Sequence, residues 1–151
     1  MENNNHKNTA TLIHLSALTQ YFIPFGNFIF PILIWNSTKE KSDYLDKQGK
    51  QVINFQLSLF VYALVLCLIA IPTLLVTIFS NVSINEIINH DSFYFENFNI
   101  ENITGAIIVA ITAIVILIVM KIAEFLLIIL ASLKASNGED YKYPLTISFI
   151  K

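Results

Sequence analysis

The stretch GAIIVAITAIVILIVMKIAEFLLIILASL, residues 105–133, decides the fold class. Its 29 residues hold two ionisable side chains, Lys121 and Glu124, and no proline. As an α-helix it would measure about 43 Å, more than the ~30 Å hydrocarbon core of a bilayer, so it predicts a span that tilts or projects at one end. A single segment can satisfy its own backbone in lipid only as a helix. Working outward, the run 52–79 predicts a second span of 28 residues, with Pro72 as a kink. A third apolar run, Leu12–Trp35, has 24 residues, interrupted by Pro24-Phe25-Gly26-Asn27 and followed by Pro31. Proline removes an amide donor and glycine loosens the backbone, so Pro24, Gly26 and Asn27 form a helix break. Two geometries fit this run, one kinked span or a re-entrant hairpin of two half-helices. Halves of about 12 residues are short for a stable hairpin, so the kinked span is preferred.

Composition agrees with this reading. The chain has 151 residues, 55% hydrophobic and 13% charged, where a soluble domain carries about 25% charged residues. The polar pieces between the runs are each shorter than the ~40 residues an unassisted domain needs, which excludes a soluble catalytic domain. The expectation is an all-α integral membrane protein, a single membrane domain over residues 1–151 with about three transmembrane helices (12–35, 52–79, 105–133) and short interfacial segments. Nine Lys, no Arg and eleven acids leave a net charge of −2. The lack of Arg, the preferred residue for bidentate phosphate and base recognition, argues against nucleic-acid binding. Cys67 is the sole cysteine and excludes an intramolecular disulfide or a multi-cysteine metal site. With no cleavable signal apparent, insertion is expected through the first span.

Three sets of polar residues are candidates for function. Lys121 and Glu124 share a helix face at i,i+3. An intramembrane charge pair suggests a proton, ion or partner role, against a local pair with Lys121 snorkelling to the interface. Gln51, Asn54, Ser58 and Tyr62 recur at helical spacing where the second run begins, with Lys47 on the same stripe if the helix starts that early. Such residues turn inward as contacts to another helix, or line a substrate path. The third set gathers beside the spans: Asp46, Lys50, Lys134, Asn137 and Tyr143, a cytoplasmic docking surface if the lysine-rich segment packs against the tail.

Charge asymmetry sets the expected topology. Asn36–Gln51 carries four Lys and the tail from Lys134 three, whereas the acidic loop 81–104 carries none. By the positive-inside rule, the lysine loop and C-terminus are cytoplasmic and the acidic loop extracytoplasmic. The N-terminus is outside if the first run crosses once and inside if it is re-entrant. The acidic loop holds Glu86, Asp91, Glu96 and Glu101 with the aromatics Phe93, Tyr94, Phe95 and Phe98, which suggests a short helix on the membrane surface. Ser136-Asn137-Gly138 reads as a helix stop, and Tyr141–Ile150 as an extended segment against the membrane or the helix ends.

Three motifs carry a family resemblance: His14-Leu15-Ser16-Ala17-Leu18 with Pro24–Asn27 and Pro31–Trp35; Leu45-Asp46-Lys47-Gln48-Gly49-Lys50 leading into Asn54-Phe55-Gln56; and Lys134–Glu139 with Tyr143-Pro144-Leu145-Thr146. Together they resemble the DUF4870 family of small bacterial membrane proteins, which is grouped with the Tic20-like proteins and with a magnetosome membrane protein. The resemblance implies the cytoplasmic membrane of a bacterium and at most a translocon-like or scaffold role.

No H-E-x-x-H, G-x-S-x-G, P-loop or dinucleotide fingerprint occurs, and His14 and Ser16 do not share a helix face, so no enzyme is expected. No cofactor is expected either. The leading expectation is a non-catalytic membrane subunit or scaffold in the lipid bilayer, binding another membrane protein or itself. The alternative is a homo-oligomeric small-solute or ion transporter, or a translocon-like channel component, built on the helix break and the charge pair.

Overall fold

Ser42 starts the first long helix: its hydroxyl accepts the Tyr44 amide at 3.2 Å, and its carbonyl the Asp46 amide at 3.1 Å. The helix then runs well beyond the apolar stretch, because its polar first turns pack on protein. In the computed structural model, which describes residues 2–81 and 100–151, α1 is Glu2–Ser16, α2 is Gly26–Thr38, α3 is Asp43–Asn81 and α4 is Ile100–Asn137. Short 3₁₀ turns occupy Ala17–Tyr21 and Lys39–Lys41. No strand occurs among the described residues. The acidic and aromatic cluster expected on a surface helix, Glu86 to Phe98, lies outside the described residues.

Two helices, rather than three, are long and apolar enough to cross a membrane among the described residues: Asp43–Thr77 and Thr104–Asn137. Only 6% and 11% of their most apolar windows are buried, unlike the core helices of a soluble domain. The helix is continuous through Pro72. At its end α4 stops where the sequence predicts. Gly138 takes φ +82°, its amide bonds the Ala135 carbonyl at 2.9 Å, and the Glu139 amide bonds the Lys134 carbonyl at 3.0 Å. That pair of bonds is the Schellman arrangement.

The run 12–35 does not form one kinked span. It is divided between α1 and α2, of 15 and 13 residues. At 1.5 Å per residue each reaches only about 20 Å. The chain reverses through Phe22–Phe25, where Phe25 adopts left-handed φ 60°. A Cβ on Gly26 would come within 2.8 Å of the Thr19 carbonyl carbon and oxygen, so the reversal needs glycine there. Contacts fix the hairpin's direction. Near one end Lys7 lies against Gly138 and the Trp35 indole against Gly49. Nearer the reversal Gln20 meets Glu124, and Asn27 meets Gln56. The hairpin therefore starts and finishes at the same end of the first unit, the path drawn by the re-entrant alternative. Its tip exposes Phe22 (88%) and Phe25, an apolar tip that suits lipid.

The chain divides into two compact units, one made of residues up to Val61 with Met120–Lys151, the other of Tyr62–Val119. The first has the core. Ala10, Ile13 and His14 form the buried stripe of α1, continued by Ala17 at the start of the 3₁₀ turn. They pack with Leu45, Val52 and Phe55 of α3, Ile128, Ala131 and Ala135 of α4, and Tyr143 of the tail. In the second unit the buried residues among those described are Ala70, Ala106 and Ala113, and its large aliphatic side chains are mostly exposed.

Candidate functional site

Three connected sets of polar groups stand out in the first unit. The innermost is built on His14. Its Nδ1 lies 2.8 Å from the Tyr143 hydroxyl and its Nε2 2.8 Å from Gln48 Oε1. The Gln48 amide nitrogen donates to Asp140 Oδ1 at 3.1 Å, and Asp140 Oδ2 accepts from Lys47. Because a carboxylate accepts only, this fixes the Gln48 amide with its oxygen toward the imidazole. Nε2 must then carry the proton, and Nδ1 accepts from Tyr143. Burial holds the imidazole down at about 4 against the opposing Gln48 hydrogen bond, and pushes the Tyr143 phenol well above its usual range. Both groups are neutral at pH 7. The Tyr143 ring stacks on Phe55 at 4.1 Å and meets Tyr141 edge-on at 5.3 Å.

The second set holds the tail. Asn54 Oδ1 accepts the amides of Phe149 (3.0 Å) and Ile150 (2.8 Å), and its Nδ2 donates to the Ile150 carbonyl at 2.9 Å. Ser58 Oγ accepts the Ile147 amide at 2.8 Å while donating to the Asn54 carbonyl. Two members of the stripe expected at 51, 54, 58 and 62 thus bond the chain's own tail, not a neighbouring helix. Gln51 faces a cleft beside the tail, and Tyr62 belongs to the other unit.

In the third set Glu124, 1% exposed, accepts from Lys121 at 2.8 Å and from the Gln20 amide at 2.8 Å. Lys121 also donates to Gln20 Oε1 at 3.0 Å. The Lys121–Glu124 pair is thereby closed into a triangle by the 3₁₀ turn after α1. Of the break residues, Asn27 donates to Gln56 Oε1 at 2.8 Å, and the Gln56 nitrogen is buried with no hydrogen-bond partner among the described residues.

The residues expected to form a docking surface do lie in one unit, in different roles. Lys50 pairs with Asp46, which also accepts from Trp35 Nε1 at 2.9 Å. Lys134 pairs with Glu139 near the exposed Asn137. Tyr143 is buried and presents no surface, because the His14 and Phe55 contacts draw it inward. The lysine segment does pack on the tail side: Tyr44 donates to the Ala135 carbonyl at 3.1 Å, and Lys47 and Gln48 hold Asp140.

Residues 5–150 match the magnetosome magnetite crystal formation protein family, MamF/MmsF. The chain belongs to that family. This overturns the assignment to DUF4870 and the Tic20-like proteins: the motifs quoted for that resemblance all fall within the MamF/MmsF match. No curated protein and no solved structure matches the chain. Sequence reasoning passed over Gln20 and Asp140, and saw Gln48 only as part of a motif and His14 as part of a motif and in the pairing with Ser16 that it set aside. A glutamine or histidine set in an apolar stretch was the available signal. MamF/MmsF membership and the two long apolar helices together make this a membrane protein.

Proposed function

We propose that the chain is a non-catalytic membrane subunit of magnetite crystal formation, which binds another membrane protein or a second copy of itself through the polar end of its first unit. The family match over residues 5–150 carries this proposal. Supporting it, the lysine segment, the hairpin and the tail are tied together by interlocking side-chain bonds, which gives a rigid face fit for docking. Lysine placement argues that this end is cytoplasmic: Lys39, Lys41, Lys47, Lys50, Lys134 and Lys142 lie in the lysine-rich segment and the tail, both parts of the first unit. A re-entrant reading of the hairpin assigns the start of α1 to the same side. A transporter would draw on Lys121 and Glu124, and both are engaged with Gln20.

The test is extraction of the tagged protein into native nanodiscs, with mass and composition of the complex determined. A stoichiometric second protein or a defined oligomer is expected. Exchanging the pair as Asp46→Lys with Lys50→Glu keeps its attraction but reverses the charges presented, and should dissociate the complex more than substitutions in the acidic loop. A monomer with no companion would overturn the proposal.

A further inference from the structure

A cleft of about 260 Å³ opens between the first turns of α3 and the returning tail. Lys47, Lys50 and Gln51 line one wall, and Lys142, Thr146 and Ser148 the other. Its walls are held in place, because Asn54 and Ser58 bond the tail backbone at Ile147, Phe149 and Ile150. Its charge is unbalanced. Three ammonium groups stand against Asp46 in the lining and Asp140 on Lys47, which leaves one positive charge over. Among the described residues Lys142 has no ion pair, and the Gln51 amide and Ser148 hydroxyl have no hydrogen bond. Donors are thus free, and they converge on a space that one anionic group would fill.

The tail supplies a second observation. While Thr146 and Ser148 line the cleft, the alternate residues Leu145, Ile147 and Phe149 are exposed. A row of apolar side chains beside a cationic recess offers a place for acyl chains next to a place for a head group. A phosphodiester carries the single negative charge that balances the recess, and its oxygens accept from lysine, amide and hydroxyl donors together.

We propose that this cleft binds the phosphate group of an anionic phospholipid, with Lys47, Lys50 and Lys142 around the phosphate and the acyl chains along Leu145, Ile147 and Phe149. The full chain in dodecyl maltoside would be titrated with dioctanoyl phosphatidylglycerol, dioctanoyl phosphatidylcholine and inorganic phosphate. Trp35, the sole tryptophan, bonds the cleft residue Asp46 and reports by its fluorescence, with native mass spectrometry giving stoichiometry. The expected result is one phosphatidylglycerol per chain, weakened about tenfold by Lys142→Gln and unchanged by Lys134→Gln. Lys142 has no ion pair to lose, so its replacement leaves the fold intact, and Lys142→Arg should restore binding. Weaker phosphate binding that competes with the lipid supports the shared phosphate chemistry. Phosphate binding without lipid binding overturns the lipid assignment. Equal affinity for phosphatidylcholine, equal loss in the two lysine variants, or no saturable binding overturns the site.

Discussion

The two halves of α3 meet different fates. In the first unit, up to Val61, the helix buries Gln48, Asn54, Gln56 and Ser58, and these bond α1, α2 or the tail. In the second, from Tyr62 on, its aliphatic side chains are largely exposed, and Thr73 and Thr77 return their hydroxyls to carbonyls of their own helix. α4 shows the same contrast, with Glu124 and Ser132 buried in one unit and a mostly exposed Ile107–Val119 in the other. A helix in lipid needs only itself, whereas a helix that buries polar groups needs named partners. Stability and specificity should therefore concentrate in the first unit, and substitutions there should be felt far more.

The strongest way to break that contrast is Tyr143→Ala. The side chain is fully buried, stacked on Phe55 and bonded to His14, so its loss leaves a cavity and an unpaired imidazole nitrogen. The expected cost is about 4 kcal/mol, read as a fall in the thermal midpoint in detergent. Tyr143→Phe keeps the stack and should cost about 1 kcal/mol. If the two cost the same, packing around the ring contributes little and the hydrogen bond carries the site.

Acid offers a second way to separate the units, since His14 belongs to the first. Its folded value of about 4 lies below the ordinary 6.5. Between these values the unfolded chain binds a proton that the folded chain refuses. Stability is thus complete above pH 6.5, falls as pH drops towards 4, and levels off below. The loss amounts to about 3 kcal/mol, and His14→Gln should flatten that part of the profile. An unchanged slope in the variant would assign the acid sensitivity to other groups.

A smaller effect tests the tail. Asn54→Ala removes three hydrogen bonds to Phe149 and Ile150, at about 2 kcal/mol in all. Amide exchange at those two residues should accelerate while exchange in the middle of α3 stays slow. If both rise together, the tail and the helix unfold as one body and the clamp is not local.

What could be read from the sequence follows the same division. The run 105–133 declares its helix because its period and apolarity are local properties. The stop at Gly138 was legible for the same reason. The hairpin was legible only as the less favoured of two geometries: nothing near Phe25 announces a left-handed residue, and the reversal is held by Gln20 on Glu124 and Asn27 on Gln56. The His14 set joins residues 34 and 129 positions apart, a pairing that no periodicity carries. Even so, His14, Gln48 and Tyr143 each come from one of the three motifs that suggested a family. One residue of each motif thus meets in a single buried network, although none of the motifs is a chemical motif.

The smallest effect sharpens the comparison most. Leu68 and Ile118 in the second unit are each more than half exposed. Truncating either to alanine removes little packing and leaves no enclosed cavity, so the midpoint in detergent should move by the equivalent of about 0.5 kcal/mol or less. A membrane changes the solvent, not this accounting, because lipid tails are as apolar as leucine and surrender of a methyl group to them costs little. If Leu68→Ala alone lowers the midpoint as Asn54→Ala does, that face is covered in the purified particle by something other than detergent. A second copy is then separable from a foreign subunit, since destabilisation through self-association weakens as protein concentration rises. A small effect at both positions leaves the first unit as the place where this chain's specificity resides.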